Sequence, residues 1–298
     1  MRASSLRQAL RLQPPRRFLA RGGYRAKRGG GPAPRAPPAS GAARELTWPG
    51  AILVAVGGGG LFGAGVACAW VASAANAPEV PADAAAACSC ACRVATFDAL
   101  SGDYDGTVGR DEVVMGVPLL RWWLLRSARG DVLEVAAGTG ANLGKYPAAA
   151  TSVTATDASE DMLRVAAKKL PADGRFALRR CAVEELTGCY DTVVDTFGLC
   201  SVDDPVAALK AMQRATKRDG AILLLEHGRG HYGWLNNLLD RYAERHLLRW
   251  GCSWNRDYGA VMEDAGLVVE SVRRFHFGTT YMVVARPNPD LAETARGA

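Results

Sequence analysis

Asp131-Val132-Leu133-Glu134-Val135-Ala136-Ala137-Gly138-Thr139-Gly140-Ala141-Asn142-Leu143-Gly144 (DVLEVAAGTGANLG) is the stretch whose reading decides the fold. Val132 to Val135 has the length and branching of a strand. The small residues after it form a turn carrying Gly138, Gly140 and Gly144. A buried parallel strand running through a glycine turn into a helix presents backbone amides at the helix N-terminus, where an anionic or polar ligand can approach. Such a loop does not by itself name the ligand, so the flanking sequence has to.

Downstream, segments alternate. Ser152 to Thr156 reads as a second strand ending at Asp157. Ser159 to Leu170 reads as a helix with acids in its first turn and lysines in its last, matching the helix dipole. Phe176 to Ala182, Asp191 to Phe197 and Ala221 to Glu226 are the third to fifth strands. Asp203-Asp204-Pro205 starts a helix running to about Lys217, with proline at a first-turn position. Trp234 to Trp250 reads as a longer helix, and Tyr258 to Ala265 as the last one, capped by Gly266. Leu267 to Val272 and Thr280 to Ala285 are close enough for an antiparallel pair. Upstream, Asp111 to Ser127 is patterned as a helix with Leu119, Leu120, Trp123 and Leu124 as its apolar face. Strands alternating with helices and closed by such a pair predict an α/β fold, a doubly wound Rossmann-like sheet of seven strands with the last antiparallel.

Charge divides the 298-residue chain. Residues 1–44 hold ten Arg, one Lys and no acid; the remainder has 25 basic against 30 acidic residues. The folded part is therefore mildly acidic, which argues against nucleic acid as a partner. The leader places Leu6, Leu10 and Leu12 among Arg2, Arg7 and Arg11, the pattern of an organelle transit peptide; a disordered basic tail is the alternative. Leu46 to Ala77 has no charge, and residues 48–75 are long enough for one transmembrane helix, with Gly59 and Gly63 as a small-residue packing pair and Trp48 and Trp70 near the two interfaces. A flexible Gly/Ala linker is the plainer reading. The basic N-terminal flank favours a matrix-side N-terminus with the folded domain across the membrane. Residues 76–95 read as a linker, 96–287 as the globular domain and 288–298 as a disordered tail. The eight cysteines show no paired zinc spacing, so no metal is expected; Cys181, Cys189 and Cys200 read as buried, reduced hydrophobes. Cys88, Cys90 and Cys92 form an incomplete ligand set.

Two ligands compete for the glycine turn. A dinucleotide site has GxGxxG with an acid about twenty residues on. Here Gly144 falls one residue late, while Asp157 stands seventeen residues after Gly140. Glu134, four residues before the turn, favours a cationic ligand over a pyrophosphate, and S-adenosylmethionine carries an ammonium and a sulfonium.

Glu134-Val135-Ala136-Ala137-Gly138-Thr139-Gly140 resembles motif I, (D/E)xxxGxG, of the class I S-adenosylmethionine-dependent methyltransferases, and Thr96 to Pro287 can be laid along that fold. More narrowly, Tyr104-Asp105, Arg129 to Val135, Leu199-Cys200-Ser201-Val202 and Glu226-His227 resemble the methyltransferase-like 7 group of membrane-anchored thiol methyltransferases and related fungal mitochondrial inner-membrane proteins. The resemblance implies that Gly138 and Gly140 admit S-adenosyl-L-methionine to the backbone and that Asp157 holds its ribose. It places Glu134 beside the methionine moiety and Met162 over the adenine. Many relatives have an Asp after strand three that binds the adenine amine. Ala182 stands there in this chain, leaving backbone groups at Ala182 and Val183 to serve.

Methyl transfer needs alignment above all, and a base only where the nucleophile must lose a proton. His227 and then Glu226 are the candidate bases, at the end of strand five. The apolar and aromatic stretch from Trp234 to Trp254 suits a small lipophilic acceptor, a thiol or a quinone or phenol. The expectation is a methyltransferase anchored by a single span in an organelle membrane, the mitochondrial inner membrane before a plastid or endoplasmic-reticulum one. A cofactor-binding assembly factor with little or no catalysis is the alternative from another class. Methylation of protein or RNA is disfavoured by the acidic domain.

Overall fold

The computed structural model describes residues 90–294. The expected leader, the span 48–75 and Cys88 lie outside them. Among the described residues no helix is long and apolar enough to cross a membrane.

Seven strands, β1 (Gly130–Val135), β2 (Ala150–Asp157), β3 (Phe176–Arg180), β4 (Tyr190–Thr196), β5 (Thr216–His227), β6 (Val268–Phe275) and β7 (Thr280–Arg286), form one sheet in the order β3-β2-β1-β4-β5-β7-β6. β1 pairs parallel with β2 and β4, and β5 parallel with β4; β7 runs antiparallel between β5 and β6. The expected mixed sheet with a closing antiparallel strand is present.

Both faces of the central strands are covered, which is why they read as continuous apolar runs. Successive residues point to opposite faces. Leu133, Val193 and Leu224 join Leu209, Met212 and Tyr258 in one core. Val132, Val194, Leu223 and Leu225 join Leu120, Leu124 and Leu125 in the other. The covering helices are α1 (Cys90–Leu100), α2 (Tyr104–Val114), α3 (Val117–Leu125), α4 (Glu160–Ala167), α5 (Pro205–Arg214), α6 (Gly233–Arg241), α7 (Ala243–Trp250), α8 (Tyr258–Asp264) and α9 (Pro289–Thr294).

Several elements differ from expectation for local reasons. The single helix over 111–127 is two, because Gly116 takes a left-handed φ of 71° and Pro118 stands in the first turn of α3. The break rotates the apolar face: Leu120, Leu124 and Leu125 are buried, while Leu119 is 64% and Trp123 41% exposed. The helix over 234–250 is also two, separated at Tyr242 (φ −111°, ψ 9°). α1 begins within the stretch read as linker, where buried Arg93 reaches the Gly251 carbonyl (3.0 Å) and Asp203 (3.0 Å). α9 lies in the stretch read as tail. Of the three cysteines read as buried, Cys200 is; Cys181 is half-buried and Cys189 exposed.

The largest difference is in the deciding stretch. No α-helix follows the glycine turn. Residues 138–149 run as successive turns, with Gly140 N–H donating to the Ala137 carbonyl (2.9 Å) and Lys145 N–H to that of Asn142 (2.8 Å). Gly138, Gly140, Gly144 and Pro147 disfavour a helix over this stretch, and Asn142 and Tyr146 both turn inward to Glu134.

Candidate active site

The strand order reverses between β1 and β4, so the loops leaving these neighbours diverge and open a crevice at their carboxyl ends. Both exits use a non-glycine residue at positive φ, Ala136 (49°) and Phe197 (60°). A cavity fills the crevice, floored by the exits of β1 to β4 and roofed by Phe97 of α1 and Tyr104 of α2.

On the β1–β2 side the wall is mostly backbone. Gly138 has φ 55°, and a Cβ built there would meet no atom within 4 Å, so it would project into open space. A side chain would fill the cradle. Asp157, at the end of β2, accepts from the amides of Gly138 (2.8 Å) and Ser159 (2.8 Å), and burial raises its pKa. Ser159 caps α4 by accepting from Met162 N–H (3.1 Å), which brings Met162 to the cavity wall, where Val183 also lies. Thr139 donates to Asp105 (2.7 Å) and so ties the glycine turn to the roof.

Gly140 and Glu134 do not line the cavity. A Cβ at Gly140 would meet Leu143 at 2.6 Å and Ala166 at 3.1 Å, so this glycine lets the turn pack on α4. Glu134 is buried, with one carboxylate oxygen accepting from Asn142 (2.9 Å) and the other from Tyr146 (2.8 Å). Asn142 also donates to Thr196 (2.9 Å) and accepts from Arg121 (3.3 Å), whose guanidinium grips Glu112 of α2 at 2.6 and 3.2 Å. Glu134 thereby fixes the shape of the loop from behind.

On the β4–β5 side the wall is built of side chains. Asp195, which the sequence reading passed over, lines the cavity beside Val135, its register partner on β1. One oxygen accepts from Leu199 N–H (3.0 Å), and the carboxyl lies against that of Glu226, so that the two share a buried site. An acid next to last in a buried strand was the available signal. Glu226 does not reach the cavity. Its carboxyl accepts from the amides of Gly198 (3.1 Å) and Leu199 (3.3 Å) and from the Tyr258 hydroxyl (2.9 Å), clamping the β4 exit. His227 stands behind Phe197, its ring edge-on at 5.4 Å, with Nε2 3.0 Å from Cys252 Sγ.

Burial of these carboxyls together, with Arg121 already engaged by Glu112, makes ionisation costly. Burial lifts Glu134 to about 7 and Asp195 to about 6, and burial with the Asp195 charge lifts Glu226 well above the usual range. The crevice therefore favours a cation. Tyr104 stays a neutral phenol, since burial and Glu112 raise its pKa.

A family model described as "Methyltransferase domain" matches residues 133–224. Methyltransferase OMS1, mitochondrial, of Saccharomyces cerevisiae is 38% identical over 214 residues, 64% of this chain and 45% of that protein. The demethylmenaquinone methyltransferase of Renibacterium salmoninarum is 33% identical over 159 residues, 51% of this chain and 66% of that protein. The chain thus spans about half to two thirds of the length of these curated relatives. Among solved structures, the DhpI–SAH complex superposes with a TM-score of 0.52 at 21% identity, covering 67% of this chain and 97% of that one. Its likeness is one of fold. Motif, strand order, crevice and relatives agree, and the chain belongs to the class I S-adenosylmethionine-dependent methyltransferases.

Proposed function

We propose that this chain is a methyltransferase anchored in the mitochondrial inner membrane through residues 48–75, acting on a small lipophilic acceptor of thiol or quinone/phenol type. The observation that carries the reading is a cavity with unequal walls: a glycine cradle and Asp157 on one side, apolar and aromatic groups around Asp195 on the other.

The residues fit S-adenosylmethionine. The open space at Gly138, the two amide-held oxygens of Asp157 and the surplus of buried carboxyl groups suit a ligand with hydroxyls and two cationic centres. When bound, the cofactor supplies an electrophilic methyl group on sulfur. Gly138 admits its backbone-facing edge. Asp157, with both oxygens held by amides, keeps lone pairs for the ribose hydroxyls. Met162 and Val183 flank the adenine, with the backbone at Ala182 in place of an acid. Gly140 and Glu134 act from behind, one through packing and the other through loop shape and negative potential. At the acceptor side Asp195 holds or removes a proton, being better placed than His227 or Glu226 to meet a substrate. Phe97, Phe197, Leu199 and Val202 supply an apolar wall that excludes water from a lipophilic acceptor. Relatives named for demethylmenaquinone and for the mitochondrion support the acceptor class and the location.

The test is transfer of labelled methyl from S-adenosylmethionine, by the full chain in lipid nanodiscs, to a panel of lipophilic thiols and phenols. Label should enter the organic phase and fall about a hundredfold in Asp195→Asn. Tight cofactor binding with no transfer to any acceptor would sink the enzyme reading in favour of an assembly factor. Release of the chain from isolated mitochondria by alkaline carbonate would sink the anchor.

A further inference from the structure

His227, Cys200 and Cys252 come from three separate segments: the end of β5, the turn after β4 and the loop after α7. Their ligand atoms lie within 4.8 Å of one another. Both thiols are buried, amid Leu239 and Trp254. The segments are fastened independently of the thiols. Ser253 N–H donates to the Cys200 carbonyl (2.8 Å), Arg93 holds the Gly251 carbonyl (3.0 Å), and the Trp254 indole donates to that of Leu239 (2.9 Å). The three donors are thus gathered by a scaffold that does not need their weak mutual hydrogen bonds.

The donor set is soft, with no carboxylate, which selects zinc over magnesium, calcium or manganese. Two thiolates, one neutral imidazole and Zn²⁺ sum to no charge, so the filled site can sit in an apolar pocket without a counter-ion. Three protein ligands leave one tetrahedral position free, the pattern of a site that receives an exogenous ligand. The cluster adjoins the cavity: Leu199 and Ser201, which flank Cys200, line it, and Ser201 Oγ is 3.4 Å from Cys200 Sγ.

We propose that Cys200, His227 and Cys252 bind one zinc ion whose fourth position takes a thiol acceptor as its thiolate, the thiol proton passing to Asp195, the base of the proposed reaction, and from there to solvent. The acceptor part rests on the methyltransferase reading; the metal part does not. It narrows the acceptor to a thiol and gives His227 the role of a ligand.

The full chain in detergent, expressed with zinc supplied, should retain about one zinc per chain after gel filtration. Cys200→Ser and Cys252→Ser should retain at least tenfold less, and Cys189→Ser, at an exposed cysteine outside the cluster, an unchanged amount. Folding of each variant is checked by circular dichroism. The cobalt-substituted chain should show thiolate-to-cobalt charge-transfer bands that shift on adding a lipophilic thiol and stay put with the matching alcohol. Zinc content indifferent to both serines, or a Cys200–Cys252 disulfide found by alkylation and mass measurement, overturns the site. Cobalt bands indifferent to thiol overturn the open position. Neither readout involves methyl transfer, so they fail separately from the enzyme reading.

Discussion

The exits of β1 and β4 are built alike and used differently. Each strand ends buried, turns through a non-glycine residue at positive φ, and opens on the same cavity. After β1 the cavity meets backbone, and the acid in the strand, Glu134, faces away into a closed hydrogen-bond network. After β4 it meets side chains: Asp195, then Phe197 and Leu199, with Cys200 behind. The difference is that of a shared ligand from a particular one. A backbone cradle suits a cofactor common to many enzymes, whereas side chains vary the acceptor.

The strongest way to break this contrast is Gly138→Val. Because the new side chain enters open space, cofactor binding should fall about a hundredfold by calorimetry, while unfolding free energy by denaturant melt drops only by what left-handed strain costs, roughly 1–2 kcal/mol. A large loss of stability with unchanged affinity would place the ligand elsewhere. A Cβ at Gly140 meets Leu143 and Ala166, so Gly140→Val should do the reverse and unfold the loop before it blocks anything.

The buried carboxyls give a smaller, pH-dependent effect. Folding raises the pKa of Glu134 and of Asp195, so each contributes stability that is full below the ordinary carboxylate range and lost as pH rises through about 7 and about 6 respectively. A cationic ligand prefers the ionised carboxylate, so S-adenosylmethionine should bind roughly tenfold tighter at pH 8 than at pH 6, with Glu134→Gln flattening the dependence. An unchanged profile in that variant would remove Glu134 from the account. The smallest expected effect is at Gly116, whose left-handed φ starts α3: Gly116→Ala should cost about 1 kcal/mol by denaturant melt and leave cofactor affinity within twofold.

The same contrast separates what the sequence discloses from what it hides. That Gly138, Asp157, Met162 and Val183 line one cavity is legible because they follow strand ends at short, regular spacing, and strand ends are set by local apolar runs. Asp195 was legible in kind, though its role depends on lying beside Val135 across a register that local sequence does not state. The turns after Gly140 have a local signal, since Gly138, Gly140, Gly144 and Pro147 break a helix within ten residues, and the expectation of a helix after the turn outweighed it. The gathering of Cys200, His227 and Cys252 was invisible for a tertiary reason, since 52 residues separate the first and last and only the fold closes the gap.

The most direct measurement is a pair of calorimetric titrations of S-adenosylmethionine into Asp157→Ala and Asp195→Asn. The division between the two exits predicts that Asp157→Ala weakens binding about tenfold to a hundredfold, by loss of hydrogen bonds to a charged group, while Asp195→Asn stays within threefold of the unmodified chain. Equal losses in both, or a loss in Asp195→Asn alone, would contradict it.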